Sequence, residues 1–154
     1  MQYHLNKRGN IVATKIILLT FDGYWRENAI NSIPSKSGIY IVYEGSYNSQ
    51  SDLITLHKVI YIGESENVNT RISGHEKWRP DWRKHCGGNK ELCFTFAHVM
   101  NPDRERGEAA LIYKHKPPTN DEYKYSFPFD ETTMNLSGKI VLLTTPFTVQ
   151  RKDW

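Results

Sequence analysis

The first residue in this chain that could do chemistry is a carboxylate set in an apolar helix stripe. Glu108 shares one face with Leu111, Ile112 and His115 by the i, i+3, i+4, i+7 rule. A charge on such a stripe is costly unless it meets a partner or a metal ion. The plain alternative is a solvated or salt-bridged glutamate. Arg71 and His75 are spaced i, i+4, so one helix face would carry both. A guanidinium suits the non-bridging oxygens of a phosphate as charge builds in a transition state. An imidazole one turn away could hydrogen-bond the phosphate or relay a proton. Taken alone, each is more often a surface charge. Tyr40 and Tyr61 each stand near a glycine, Gly38 and Gly63, in a short β-branched run. A phenol titrates near ~10, so one acting as a base needs positive charge close by. For a strand tyrosine the common role is packing. Asn120, after Pro117, Pro118 and Thr119, reads as a turn residue.

Charge is concentrated rather than spread. The 154 residues carry a net +3, yet residues 71–90 hold six Lys or Arg and two acids, which is +4. Clustering of this kind is the footprint of phosphate binding. Within it, Lys77, Arg79, Arg83, Lys84 and Lys90 are candidate DNA contacts, and Trp78 and Trp82 interleave with them. Cations mixed with aromatics suit a nucleic-acid surface; the alternative is two core tryptophans among solvated charges. His85, Cys86, Cys93 and His98 are metal-ligand types, but they lack the paired-cysteine spacing of structural zinc. No apolar run approaches the ~20 residues that span a bilayer, and residues 16–19 are too short for a signal-peptide core. A cytoplasmic location is expected, with both cysteines reduced.

The elements that must position these residues follow from patterning. One domain of 1–154 is expected. Residues 1–10 read as polar and loosely held, 11–21 as a strand, Asp22-Gly23 as a turn and 24–33 as a short helix ended by Pro34. Residues 37–43 and 59–63 read as the two strands of a hairpin. Their connection, 44–58, is longer than the usual 2–5 residues, and long loops are often functional. A helix is expected over 67–78 with Ser65 as cap, and a further turn over 81–85. Residues 92–99 read as a strand with Phe94 and Phe96 on one side and Cys93 and Thr95 on the other. Asn101-Pro102 opens a helix running to His115. Residues 126–129 read as loop or edge strand, and 140–144 as a last strand pairing with residues 15–20.

Gly38-Ile39-Tyr40 and Tyr61-Ile62-Gly63 are the two tripeptides that name the GIY-YIG nuclease family, and the chain resembles that family over residues 37–120. The resemblance implies an α+β fold, a small, mainly antiparallel sheet flanked by helices, with 1–36 and 121–154 as extensions. It implies metal-dependent hydrolysis of phosphodiester bonds in double-stranded DNA, leaving 5′-phosphate ends. Glu108 would hold one Mg²⁺, with Mn²⁺ able to substitute. Arg71 would be the catalytic arginine, His75 would match the histidine one turn beyond it in some members, and Asn120 would orient the site. Tyr40 is assigned as the general base and Tyr61 as a contact to phosphate or metal-bound water, with the reverse assignment open. The long gap between the tripeptides and the basic, Trp-bearing stretch resemble stand-alone restriction-type members. Target choice is then expected in loops, in the terminal pieces or through a homodimer. A structure-selective repair nuclease and a non-catalytic DNA-binding module are the alternative readings.

Overall fold

The computed structural model describes residues 3–5, 9, 11–74 and 79–153. Among these, the chain forms strands β1 (Tyr3–Leu5), β2 (Ile11–Ala13) and β3 (Lys15–Arg26), a 3-10 turn (Glu27–Ser32), and strands β4 (Gly38–Asn48) and β5 (Leu53–Ser65). Helices α1 (Val68–Ser73) and α2 (Arg79–Arg83) follow, then β6 (Glu91–His98), helix α3 (Asp103–His115), β7 (Thr132–Gly138) and β8 (Phe147–Val149). β1 and β2 make a separate ribbon. The other strands form one sheet in the order β5-β4-β6-β3-β7-β8, antiparallel throughout except for β3 with β7. The architecture is α+β, and β3, β7 and β8, from outside 37–120, complete the same sheet as β4, β5 and β6. Among the described residues no helix is long and apolar enough to cross a membrane. Cys86 and Cys93 are free thiols.

β4 lies between β5 and β6 and is buried on both faces, as its unbroken apolar sequence requires. Ile39, Ile41 and Tyr43 join one core with Ala109, Ala110, Leu111 and Ile112 of α3. Tyr40 and Val42 point the other way and pack with Val68 and Ile72 of α1, Trp82 of α2 and Ile33. Phe94 and Phe96 of β6 join the second core, whereas Cys93 and Ala97 join the first. Helices thus cover both faces of the sheet and meet the β5 edge from either side.

The glycines of the two tripeptides are fixed by close approach. Tyr40 is paired with Gly63 across the hairpin. A Cβ on Gly63 would lie 2.3 Å from Tyr40 Cζ and 2.5 Å from its hydroxyl oxygen. On Gly38 it would lie 2.3 Å from the Ala97 carbonyl oxygen and 2.4 Å from the Phe96 ring. Gly63→Ala must therefore displace the Tyr40 ring, and we expect a loss of about 1–3 kcal/mol of stability, read from chemical denaturation. An unchanged midpoint would mean that Tyr40 is free to move.

Several elements differ from their sequence expectations. The 44–58 connection is not a loop: β4 and β5 continue through it, pairing Ser46 with Thr55 and Tyr47 with Ile54, and only residues 49–52 turn. Asn48 Oδ1 accepts the Gln50 and Ser51 amides at 2.9 and 3.2 Å, which closes the turn. Asp22-Gly23 lies within β3, at a register shift between Gly23 and Trp25. The strand then runs on to Arg26, held by two hydrogen bonds to Glu91 at 2.7 and 3.0 Å, so only Glu27–Ser32 remains helical. Residues 3–5 are ordered by pairing with β2. The strand beside residues 15–20 is β7, in parallel register, not 140–144. β7 alternates, burying Met134 and Leu136 and exposing Asn135, whereas Val141 and Leu142 of the apolar run are 48% exposed and Leu142 turns with φ 67°. Residues 126–129 contribute a single bridge, Phe127 with Lys152.

Candidate active site

Two strands and two helices bring the candidate residues together at the β5 side of the sheet. Asn67 caps α1, its side chain accepting the Thr70 amide at 3.1 Å. The cap is thus two residues later than Ser65, whose hydroxyl accepts the Asn67 amide instead. The helix ends at Gly74, with Val68 and Ile72 buried and Arg71 left exposed. α3 begins with Asn101 Oδ1 accepting the Glu105 amide at 3.1 Å, and ends where Lys116 turns left-handed. It buries Ala109, Leu111 and Ile112 and leaves Glu108 half-buried beside the sheet.

The Tyr40 and Tyr61 ring centres are 6.1 Å apart, and Tyr61 continues the stack to Trp82 at 5.4 Å. Tyr40 is only 1% exposed, whereas Tyr61 is half-buried. Both phenols lie within electrostatic reach of Arg71 and Glu108. Neither phenol hydroxyl, nor the Arg71 guanidinium, nor the Glu108 carboxylate makes a hydrogen bond or ion pair with another described residue. Buried polar groups normally have a hydrogen-bond partner, from the protein or from ordered water. Four groups within electrostatic reach of one another, without a partner among the described residues, are a place for something polar from outside.

Their ionisation is set by burial first. Burial pushes the Tyr40 phenol well above 10, with Tyr61 adding to the rise and Arg71 opposing it. Tyr61 is raised for the same reason, with Glu108 adding and Arg71 opposing. Glu108 is raised from 4.5 to about 8, by burial first and then by the carboxylates of Glu64, Glu122 and Glu105, with Arg71 opposing. A carboxylate that is desolvated, crowded by like charge and without a donor fits a hard cation. Among the described residues no three His, Cys, Asp or Glu side chains could share one ion. An ion at Glu108 would therefore take its remaining oxygens from solvent and substrate, which is how Mg²⁺ usually binds.

Asn120 braces this site from behind. Its Oδ1 accepts the Ile62 amide at 3.0 Å, and its Nδ2 donates to the Ile62 carbonyl at 2.9 Å. Thr119 donates its amide and hydroxyl to the Ile60 carbonyl at 3.3 and 2.7 Å. The turn after α3 thus caps the β5 edge on either side of Tyr61. Asn120→Ala orphans a buried amide and carbonyl, and we expect it to cost about 2–4 kcal/mol, measured by thermal unfolding. A smaller loss would mean that water replaces the clamp.

The basic window is arranged differently from its sequence expectation. Trp82 is 2% exposed, packed between Tyr61 and Phe94, so it cannot stack on a nucleobase. The apolar pocket under α2 outweighs any surface role. Arg79 Nη2 donates to the Ile72 carbonyl at 3.4 Å, Arg83 pairs with Glu27, Lys84 with Asp81 at 3.5 Å and Lys90 with Glu44 at 3.8 Å. Arg83 and Lys84 nonetheless keep 56% and 75% of their side chains exposed, and surface pairs of this kind exchange readily for phosphate. His75, Lys77 and Trp78 lie outside the described residues.

Two charged residues escaped sequence reasoning. Glu64, next to Gly63, accepts from the buried guanidinium of Arg104, which also donates to Ser37 Oγ at 2.8 Å. With Arg71, Ser65, Asn67 and Thr70 they line a cleft beside α1. The only sequence signal was that Arg104 precedes Glu108 by one helical turn. No family model matches the chain, and neither does any curated protein or solved structure.

Proposed function

We propose that the chain is a GIY-YIG-type endonuclease that hydrolyses phosphodiester bonds in double-stranded DNA, of the site-specific, restriction-like kind. The observation that carries this reading is that Tyr40, Tyr61, Arg71 and Glu108 lie within electrostatic reach of one another and make no side-chain hydrogen bond or ion pair with another described residue. Glu108 would hold the divalent ion, Mg²⁺ or Mn²⁺, which when bound neutralises charge on the scissile phosphate and its leaving oxygen. Arg71, exposed on α1 and uncommitted, clamps the non-bridging oxygens as charge develops on them. A tyrosine accepts the proton of the attacking water. Accessibility favours Tyr61 for that step, the reverse of the sequence assignment, because Tyr40 is almost fully buried and the more strongly desolvated of the two. Tyr40 then holds the water or phosphate by a hydrogen bond. Asn120 keeps Tyr61 in register through the Ile62 backbone.

Direct attack by water breaks the bond in one step and leaves a 5′-phosphate and a 3′-hydroxyl. One such site cuts one strand, so a double-strand break takes two copies, and a symmetric dimer on a palindromic site is the economical arrangement. Arg83, Lys84 and Lys90 supply phosphate contacts beside the site. The test is plasmid digestion with Mg²⁺ followed by ligation of the products. Discrete fragments that religate without phosphatase or kinase treatment are expected. Cutting confined to branched DNA would move the reading to a structure-selective nuclease. Salt-dependent binding without any cleavage would make the chain a binding module.

A further inference from the structure

Beyond Gly45, β4 has only β5 beside it. Its pairing with β6 stops there, and the hairpin runs on as a two-stranded ribbon to Asn48 and Leu53. Such a ribbon is marginal in water by itself, yet this one is tied along its length. Arg26, already fixed by Glu91, lies 3.7 Å from the centre of the Tyr47 ring. The Tyr47 hydroxyl donates to Asp52 Oδ1 at 2.7 Å across the turn, and Ser46 Oγ and His57 Nε2 share a hydrogen bond of 2.7 Å. Ile54 and Leu56 pack against the main core. These ties leave other polar side chains free. Gln50, Ser51 and Thr55 are exposed, and none of their side chains makes a hydrogen bond with another described residue.

The charge around the ribbon indicates what it meets. Within residues 46–56 the only charged side chain is Asp52, which Tyr47 engages. At the base the surroundings turn cationic. Lys58 is exposed and makes no ion pair with another described residue. Its cross-strand partner Glu44 accepts the Gly87 amide at 2.8 Å and pairs with Lys90 at 3.8 Å, which sets the basic segment beside the ribbon. Cations hold phosphates, whereas hydrogen-bonding side chains on base edges carry sequence information. A two-stranded ribbon fits the major groove, and a glutamine there suits adenine. Tyr61 and Leu53 are eight positions apart on β5. That is about 26 Å of strand, less than a duplex turn of about 34 Å.

We propose that the outer ribbon, residues 46–55, reads the target: it enters the major groove beside the cut site. Gln50, Ser51 and Thr55 contact base edges there, while Lys58 and Lys90 hold flanking phosphates. This rests on the reading of the chain as a nuclease of double-stranded DNA. It supplies a choice of sequence that Arg71 and Glu108 cannot make, since they meet only phosphate and metal. Ties that stiffen the ribbon before binding lower the entropy lost when it docks.

Two measurements test this. In EDTA, a short duplex of mixed sequence should shift the amide resonances of residues 49–58 in the unaltered protein, a readout that needs no variant to fold. In plasmid digestion with Mg²⁺, Gln50→Ala combined with Thr55→Ala should add cuts at sequences that differ from the wild-type site by a single base pair. Preference for the wild-type site should fall about fivefold or more. Lys58→Gln should instead keep the fragment pattern and reduce the salt slope of duplex binding by about 1. Discrete wild-type fragments that the double variant leaves unchanged, or duplex binding with residues 49–58 unmoved, overturn this proposal and leave the nuclease reading standing. Resonances that move with protein concentration but not with DNA make the ribbon a contact between copies, which also overturns it. Ribbon shifts on duplex binding by a protein that never cuts uphold the ribbon and overturn the nuclease. No duplex binding at all overturns both.

Discussion

Glu108→Gln is expected to lose Mg²⁺-dependent DNA cleavage by about 10³-fold or more, and at the same time to make the metal-free protein more stable at alkaline pH. The first effect follows from removing the charge that holds the ion, since an ion at the scissile phosphate supplies several kcal/mol of transition-state stabilisation. The second follows from linkage. A carboxyl raised from 4.5 to about 8 in the folded protein binds its proton more tightly there than in the unfolded chain. Acid therefore favours the fold through this group, and the group withdraws stability as pH climbs from 4.5 to about 8. Glutamine has no such proton to lose. With EDTA present, Glu108→Gln should match or slightly trail the wild type at pH 5 and exceed it at pH 8 by on the order of 2 kcal/mol. Adding Mg²⁺ should narrow that gap by stabilising only the wild type. A variant that melts lower than wild type at both pH values would mean that the Glu108 carboxylate serves the fold rather than an ion.

Arg71→Ala is expected to cost about 10²–10³-fold in the single-turnover rate, the usual effect of deleting one preorganised donor to a developing oxyanion. Thermal stability should hardly change, because Arg71 is exposed and makes no hydrogen bond or ion pair with another described residue. Arg71 also opposes the rise in both tyrosine pKa values and in that of Glu108. Its removal lets the phenols titrate higher, so the rise of cleavage rate with pH should move to more alkaline values. Arg71→Lys should restore part of the pH profile but little of the rate, since an ammonium keeps the charge and loses the planar two-point fork. An unchanged pH profile in Arg71→Ala would remove Arg71 from the phenols' surroundings.

What the sequence reveals about this molecule depends on whether a position's role is local. β4 is legible because its unbroken apolar run has to be buried on both faces. The α3 boundaries are legible because Asn101 and the prolines after Lys116 mark them. The outer half of the hairpin is not: Ser46, Thr55, His57 and Lys58 are polar because they stay partly or wholly at the surface, and strand pairing rather than apolar character extends the ribbon to Asn48 and Leu53. β7 is hidden for a related reason. Its alternating Thr, Met, Asn, Leu and Ser pattern is quieter than the apolar run at 140–144, which attracts attention but folds as a turn. Trp82 looks like a nucleic-acid contact because of the cations around it, and only the Tyr61 and Phe94 rings show that it is core. In the site, the tripeptides mark Tyr40 and Tyr61, and the stripe on α3 marks Glu108. Glu64 and Arg104 could not be paired in advance, because their contact depends on how α3 lies along β5, 40 residues away in sequence.

The most direct measurement of the central claim is the single-turnover cleavage rate of a linear duplex DNA by the purified protein, with Mg²⁺ and with EDTA, beside Glu108→Gln under the same conditions. Cleavage that needs Mg²⁺, leaves 5′-phosphate ends and disappears with Glu108→Gln is the expected result. Cleavage by Glu108→Gln at the wild-type rate, or a wild type that cuts equally well in EDTA, would contradict it.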